Sequence, residues 1–533
     1  CSDVLDLNPA DRFSPATVWS TTTTADKYVI GLYSIFGANT EMRGGDAYAS
    51  PRLSDAYSDI LKSPSWNQYN HNFNATLLQE TAFNSNSAGA FECWSSHYDR
   101  IRRENEFLRD AAEFGRKFGE DWLKIRIAEV RFCRAYAYFM LCRVYGGVIL
   151  RTEVDGPEQN DKARSTEEEC WGFIINELKE LAPDLPLKWD SDNSGRATQK
   201  AAYGLLSRVA LYAEKWDVAA QAARDCATAE GNLDLSKNGY AKIFELGINS
   251  PEVLFAVEFK SSVIDHAYDA YVRPSGDTKE LGKQVYSGFV PTSELVDSYE
   301  MAGDGGNFSW EKHGKDPYAN REPRFYATIL YNGADWMGRK IESFVGGKDG
   351  YKAYENAGAA GTTVTGYYLR KYLIDGDKTW VTSGSGQDWI VLRYAEVLLN
   401  KAEALAMENW NKNSAEALQA LNDVRARVGL PARATADKET FLEYVRHERK
   451  VELAGEGFRY WDLRRWRLAE KVIDGQNVHG VKISKQSDGS FTYEQVDADG
   501  GHKRIFYDRY YRFAIPLSER SNNSLCTNND GWI

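Results

Sequence analysis

Apolar residues recur at intervals of three and four from Asp121 to Tyr145, and the run stops at Gly146-Gly147, which predicts a helix with a wide buried face. The longest unbroken apolar stretch, Ala135–Cys142, falls well short of the roughly eighteen residues of a spanning helix and reads as a buried helical segment. Thr166–Leu181 opens on Thr166-Glu167-Glu168-Glu169, a capping-box sequence, before its apolar stripe. Thr198–Ala213 predicts another helix, and Trp216–Ala227 a partner after the Glu214-Lys215 turn. Ser207, Trp216, Ala219 and Cys226 fall at about the spacing with which a tetratricopeptide unit nests one helix on its mate. A second pair is expected from Trp389 to Val428, with Ala402 and Ala404 in one helix and Ala415 and Ala417 in the next. Its turn, around Asn409–Asn413, is longer than the repeat allows. The expected fold class is mainly α, a tetratricopeptide-like helical-repeat scaffold carrying long irregular loops. Two such loop regions, about 50–91 and 261–386, lose the helical period and gain glycine, asparagine and aromatics. Long irregular segments inside a helical domain are usually functional or disordered, and this aromatic content argues against disorder.

Val445–Trp466 (VRHERKVELAGEGFRYWDLRRW) reads as a helix broken at Gly455-Glu456-Gly457 and restarted. Glu448, Glu452 and Glu456 recur every fourth residue, so they share a face. Arg449, Arg459, Arg464 and Arg465 supply the opposite charge, and Phe458, Trp461 and Trp466 the apolar cover. Two readings compete: Glu448 and Glu452 as catalytic carboxylates, or as half of an ion-pair network that locks a helix corner. Nearby arginines would hold the carboxylates ionised and make them poor general acids, which favours scaffold.

This segment resembles the C-terminal signature of the SusD/RagB family of surface nutrient-binding lipoproteins. Ala137–Gly147 (AYFMLCRVYGG), Gly195–Tyr212 (GRATQKAAYGLLSRVALY), Arg393–Leu405 (RYAEVLLNKAEAL) and Ala514–Gly531 (AIPLSERSNNSLCTNNDG) extend the resemblance along the chain. Gly147 and Ile149 stand where the family commonly has aspartate and proline. The resemblance implies a non-catalytic binding protein whose ligand lies on the loops, with the Val445–Trp466 segment as a fold signature. It also implies a SusC-like TonB-dependent transporter as partner, in a two-to-two assembly at the outer membrane.

Cys1, followed by a small polar residue and an acid, looks like the lipidated cysteine of a processed bacterial lipoprotein. Each buried CH₂ of its acyl chains would contribute about 0.8 kcal/mol, so several chains anchor firmly. Residues 1–17 are then expected to form a tether and 18–533 a single SusD-like domain, lipid-anchored in the outer membrane and facing the cell exterior. With 65 Lys and Arg against 77 Asp and Glu, the formal charge of −12 argues against nucleic acid as a partner. It leans mildly toward a neutral glycan. Cys93, Cys133, Cys142, Cys170, Cys226 and Cys526 form no Cys-x-x-Cys and sit near no histidine at zinc spacing. Cys133 and Cys142 are roughly 13 Å apart along one predicted helix, too far to bridge. Free thiols are expected, with no disulfide framework, no transition metal and no cofactor.

Candidate ligand contacts come from the irregular regions. A pyranose presents a face of C–H bonds to an aromatic plane while its hydroxyls need amides, carboxylates or guanidinium groups. Trp66 and Tyr69 sit among amides in residues 63–74, Trp310 and Tyr318 in residues 307–318, and Tyr331 and Trp336 in residues 331–339. For Trp310 and Trp336, glycine and charged neighbours make burial less natural. Trp94 occupies a family position that can lie near the ligand, or it opens the next helix as a core residue. The chain has 15 Trp and 31 Tyr, more than a binding face needs, so most must be packing. Trp122, Trp171, Trp216, Trp461 and Trp466 lie on helical patterns and are assigned to the core.

Three functions remain open: a glycan-binding lid of a transporter, a RagB-like peptide-binding lid with a deeper cavity, and a secreted glycoside hydrolase. The last would need two carboxyl groups about 5–9 Å apart, one of them with a raised pKa.

Overall fold

The computed structural model describes residues 14–42, 53–63, 83–357 and 361–533. Cys1, Trp66 and Tyr69 lie outside the described residues. The long helices are α1 (Thr22–Leu32), α2 (Trp94–Phe114), α3 (Glu120–Tyr145), α4 (Glu167–Leu181), α5 (Gln199–Tyr212), α6 (Trp216–Thr228), α7 (Tyr394–Arg427), α8 (Lys438–Glu452) and α9 (Arg459–Arg465). From α2 to α6 each helix packs on the next in chain order, and α7 returns to pack on α5, α6 and α8. Strand structure is sparse. The antiparallel pair β1 (Val253–Val257) and β2 (Trp389–Arg393) and the hairpin β3 (His479–Lys485) and β4 (Phe491–Asp497) are its longest members. No helix among the described residues is long and apolar enough to cross a membrane.

Local chemistry explains the helix starts. Thr166 caps α4 by accepting from the Glu169 N–H at 3.1 Å, while the Glu169 carboxylate accepts from the Thr166 N–H at 2.8 Å. Glu167, Glu168 and Glu169 then meet the positive end of the helix dipole. Helix α3 is buried nearly all round at its C-terminal half and ends where Gly146 takes φ +77° and donates to the Cys142 carbonyl. In α5, an added Cβ at Gly204 would lie 2.9 Å from Leu254 of β1, so the small residue sets the approach of helix to sheet.

Two expectations need correction around α7. Trp389–Arg393 is a buried strand, its β-branched and aromatic run paired with Val253–Val257, and the helix begins only at Tyr394. The expected long turn at Asn409–Asn413 shrinks to one residue: Asn409 alone leaves helical geometry (φ −165°, ψ 95°). Its side-chain oxygen accepts from the Lys412 N–H at 3.1 Å, which restarts the helix, and the Asn413 amide donates back to the Leu405 carbonyl at 3.2 Å.

A large hydrophobic core runs through α3–α8 and the loop region, and a smaller cluster of Val18, Trp19, Ala25, Val29, Phe107 and Val130 joins α1 to α2 and α3. Trp171 and Trp461 are buried as expected, while Trp122, Trp216 and Trp466 are half-buried at its margins. The six described cysteines are all free.

The charged signature is a buried network. Arg393 pairs with Glu252, Glu452 and Glu456 at 2.7–3.0 Å, and Lys371 with Glu456 at 2.9 Å. Arg324 pairs with Glu322, Glu448 and Glu452, Arg425 with Glu300 and Glu448, and Arg427 with Glu252 and Glu452. Cations from four separate segments thus clamp the Glu448–Glu456 row. The arginines expected to do this work pair elsewhere. Arg449 and Arg465 hold Asp462, and Arg459 holds Asp59. The break itself is capped by Asp55, which accepts from Gly455 N at 2.7 Å, Gly457 N at 3.3 Å and Arg459 N at 3.1 Å. At Gly457 (φ +83°) a Cβ would strike the Glu41 carboxylate at 2.6 Å, so glycine is required there.

Candidate functional site

The aromatics from the second irregular region meet the β3–β4 hairpin. Ser309 caps a single helical turn, Trp310–His313, which sets Trp310 half-exposed at its first position. The Trp310 indole donates to Asp297 Oδ2 at 3.0 Å, and its ring lies 5.5 Å from Tyr493 on β4. Tyr493 packs on Tyr318 at 5.9 Å, and Tyr318 on Tyr331 at 5.0 Å. Tyr326 adds a further ring 5.9 Å from Tyr331. Trp310, Tyr493, Tyr331 and Tyr326 are half-buried, while Tyr318, Phe325 and Tyr367 beneath them are buried. Tyr318 donates to the Tyr367 hydroxyl at 3.3 Å, which fixes the underlying ring.

Polar groups border this row. Asp316 and Asp335 are exposed, and Arg370 reaches the Tyr326 carbonyl at 3.3 Å. Burial pushes the Tyr493 hydroxyl up to about 12, so it stays a neutral donor and acceptor at ordinary pH. Burial, only partly offset by the Trp310 N–H, lifts Asp297 to about 6. The arrangement offers apolar ring surface beside hydrogen-bonding groups. Tyr493 was not singled out because its Phe491–Asp497 segment lies outside both aromatic loop regions; the alternation Phe491, Thr492, Tyr493, Glu494 was its only local signal.

Trp336 corrects the expectation of exposure. It has no accessible surface, donates to Asp277 Oδ2 at 3.1 Å, and carries the Arg273 and Arg370 guanidinium groups 5.1 and 5.8 Å from its ring centroid. Of its charged sequence neighbours, Asp335 stays exposed, while half-buried Arg339 turns inward to pair with Asp277 and Asp349, beside the buried pairs of Arg273 with Asp269 and Asp277. A ring so enclosed offers no face to a sugar. Trp94 is likewise in the core at 2% exposure, donating to Glu519 at 3.2 Å with Tyr145 edge-on at 5.2 Å.

A cavity of about 1040 Å³ lies elsewhere, lined among others by Tyr33, Asn39, Glu41, Phe91, His97 and Trp461. Burial beside Asp55 lifts Glu41 to about 7, and burial lowers His97 to about 3, leaving it neutral. Glu300, His447 and Glu448 offer ligand atoms within 4.8 Å of one another. Arg425 holds both carboxylates, with Arg433 on Glu300 and Arg324 on Glu448, so a cation would have to displace guanidinium groups.

Comparison with known proteins places this geometry. A family model described as "SusD family" matches residues 251–532, and one described as "Starch-binding associating with outer membrane" matches residues 3–211. A SusD-like protein of Bacteroides ovatus is 26% identical, over 94% of this chain and 87% of its own length. SusD-like protein P38 of Formosa agariphila is 25% identical over 89% of each. Among solved structures, a SusD-like protein of Bacteroides fragilis superposes with a TM-score of 0.83 at 27% identity, covering 98% of this chain and all of that one. A SusD-like carbohydrate-binding protein of the same species gives 0.78 at 24%, covering 96% and 99%. With one family model spanning more than half its length, and with a helical scaffold that matches these neighbours end to end, the chain belongs to the SusD family.

Proposed function

We propose that this chain is a non-catalytic, cell-surface glycan-binding protein that captures oligosaccharides and delivers them to a SusC-like TonB-dependent outer-membrane transporter. The observation that carries the reading is the half-exposed row Trp310–Tyr493–Tyr331 set on buried Tyr318 and bordered by Asp316 and Arg370. Such a row matches the alternating apolar and hydroxyl faces of a saccharide. Relatives support it: one structural neighbour is described as a carbohydrate-binding protein and another as laminarin-binding. The outer-membrane description of the family model covering residues 3–211 supports the location, with a lipid on Cys1 as the proposed anchor. Shallow capture of this kind corresponds to about −4 to −6 kcal/mol, a Kd from about 1 mM to tens of micromolar, weak enough for release inward.

The 1040 Å³ cavity favours a second reading, a peptide held in a cleft. Native affinity electrophoresis through gels containing plant, fungal and host polysaccharides separates the two. Retardation by one neutral glycan, lost in Trp310→Ala, supports capture of sugar. Binding of mixed peptides with no retardation by any glycan supports the cavity instead. Release of reducing sugar by the purified protein would contradict the non-catalytic assignment.

A further inference from the structure

Beside α9, a second cavity of about 390 Å³ opens between the C-terminal end of α3, the first turn of α4 and the α5–α6 turn. Arg143, Arg464, Arg465, Arg467, Arg512 and Lys215 line it, against Glu167, Glu168 and Glu214. That is a cationic wall in a chain of formal charge −12. Part of the charge is neutralised: Arg512 pairs with Glu167 at 2.5 Å, Lys215 with Glu168 at 3.2 Å, and Arg465 with Glu403 and Asp462. Arg143, Arg464 and Arg467 have no carboxylate partner among the described residues.

Arg464 is 3% exposed. Its Nη2 donates to the Tyr510 and Tyr511 carbonyls at 3.1 and 2.9 Å, but its Nε and Nη1 meet no acceptor among the described residues. The same holds for Arg143 Nε and Trp461 Nε1. The Trp461 ring lies against both guanidinium groups, 3.9 Å from Arg143 and 4.7 Å from Arg464. Stacking accounts for the faces of the two guanidinium planes. It leaves Arg464 Nε and Nη1 and Arg143 Nε unused, and buried donors without acceptors are costly. Arg143 and Trp461 also border the larger cavity, whereas Arg464 does not. Every unsatisfied group in this wall is a donor, and three of the four belong to guanidinium groups, which suits a partner that is rich in acceptors and negatively charged. Burial, together with Arg512 and Arg143 close by, presses Arg464 down to about 10, the direction an anion would reverse.

We propose that this cavity binds an oxyanion, a sulfate, phosphate or carboxylate group, held by the unpaired N–H groups of Arg143 and Arg464 beside Trp461, with Arg467 at the rim. Charge-assisted N–H···O bonds from guanidinium groups suit such anions, and here they come singly, because Arg464 Nη2 is already given to two carbonyls. The anion could be a free ion or the charged substituent of a saccharide, and the volume admits either. The inference does not depend on the aromatic row.

Isothermal titration of the whole chain, in chloride at constant ionic strength, tests it with four probes: sodium sulfate, sodium phosphate, glucuronate and glucose 6-sulfate. Saturable one-site binding of at least one probe is expected, weakened roughly tenfold or more in Arg143→Gln, the loss of one charge-assisted hydrogen bond. Binding of inorganic sulfate or phosphate assigns the site to the free ion. Binding of the acidic sugars alone assigns it to a charged substituent. Arg467 is exposed, so Arg467→Gln keeps the test alive if Arg143→Gln does not fold, and there a weakening of roughly threefold is expected. Saturation by none of the four probes, or affinities left within about twofold of wild type by the folded variants, would overturn the proposal.

Discussion

Glu41 shows how much a single residue's surroundings matter. Its carboxylate accepts from the Ser54 N–H at 2.8 Å and hydroxyl at 2.7 Å, yet burial and neighbouring Asp55 raise it to about 7, with Arg143 opposing. A carboxyl raised in the fold binds its proton more tightly there than in the unfolded chain. It therefore costs nothing below about pH 4.5 and costs progressively more as pH rises toward 7. Because the side chain keeps some exposure through the cavity, we expect only about 1–2 kcal/mol of that penalty. Glu41→Gln should thus gain stability over wild type at pH 8 and lose the advantage at pH 4.5, as read from urea unfolding at the two values. Glu452 has the opposite sign. Despite burial, Arg427, Arg393 and Arg324 hold it well below the usual carboxylate range, so its contribution is full above about pH 4.5 and fades as pH falls. Glu452→Gln should cost about 3–5 kcal/mol at neutral pH, because it leaves buried guanidinium charge uncompensated. A variant as stable as wild type would remove the network from the account.

Among the elements, helices were the legible part. The periods over Asp121–Tyr145, Thr166–Leu181, Thr198–Ala213 and Trp216–Ala227 each became a helix within a residue or two, because burial on one face and a cap at one end are both written locally. Trp389–Arg393 misled because a five-residue apolar run is ambiguous between strand and helix until its partner, Val253–Val257, is known. Asn409 misled because a helix can be re-nucleated by one side chain. Asn409→Ala should cost about 1 kcal/mol in denaturant unfolding, against a few tenths for Asn409→Gly. Equal losses in the two variants would mean that the kink is set by packing and not by the cap.

For the whole molecule, the family signature was legible because it fixes many charged and glycine positions at once, while the proposed ligand face was not. Trp310 and Trp336 look alike in sequence, each flanked by glycine and charge, yet long-range partners decide between them. Asp277, Arg273 and Arg370 enclose Trp336, whereas Trp310 packs at a tilt on Tyr493 from a hairpin some 180 residues later and keeps part of its ring open. No local pattern carries that information. The two tryptophans therefore give the sharpest discrimination. Trp336→Ala should lose about 3–5 kcal/mol of stability, as large aromatic truncations in a core do. Trp310→Ala should leave the melting temperature nearly unchanged. The decisive measurement is titration calorimetry of Trp310→Ala and Tyr493→Ala with an oligosaccharide of whichever glycan retards the wild type. Each should weaken binding by about 1–2 kcal/mol, roughly 5–30-fold, with the fold intact. Wild-type affinity in both variants would contradict the aromatic row as the capture surface.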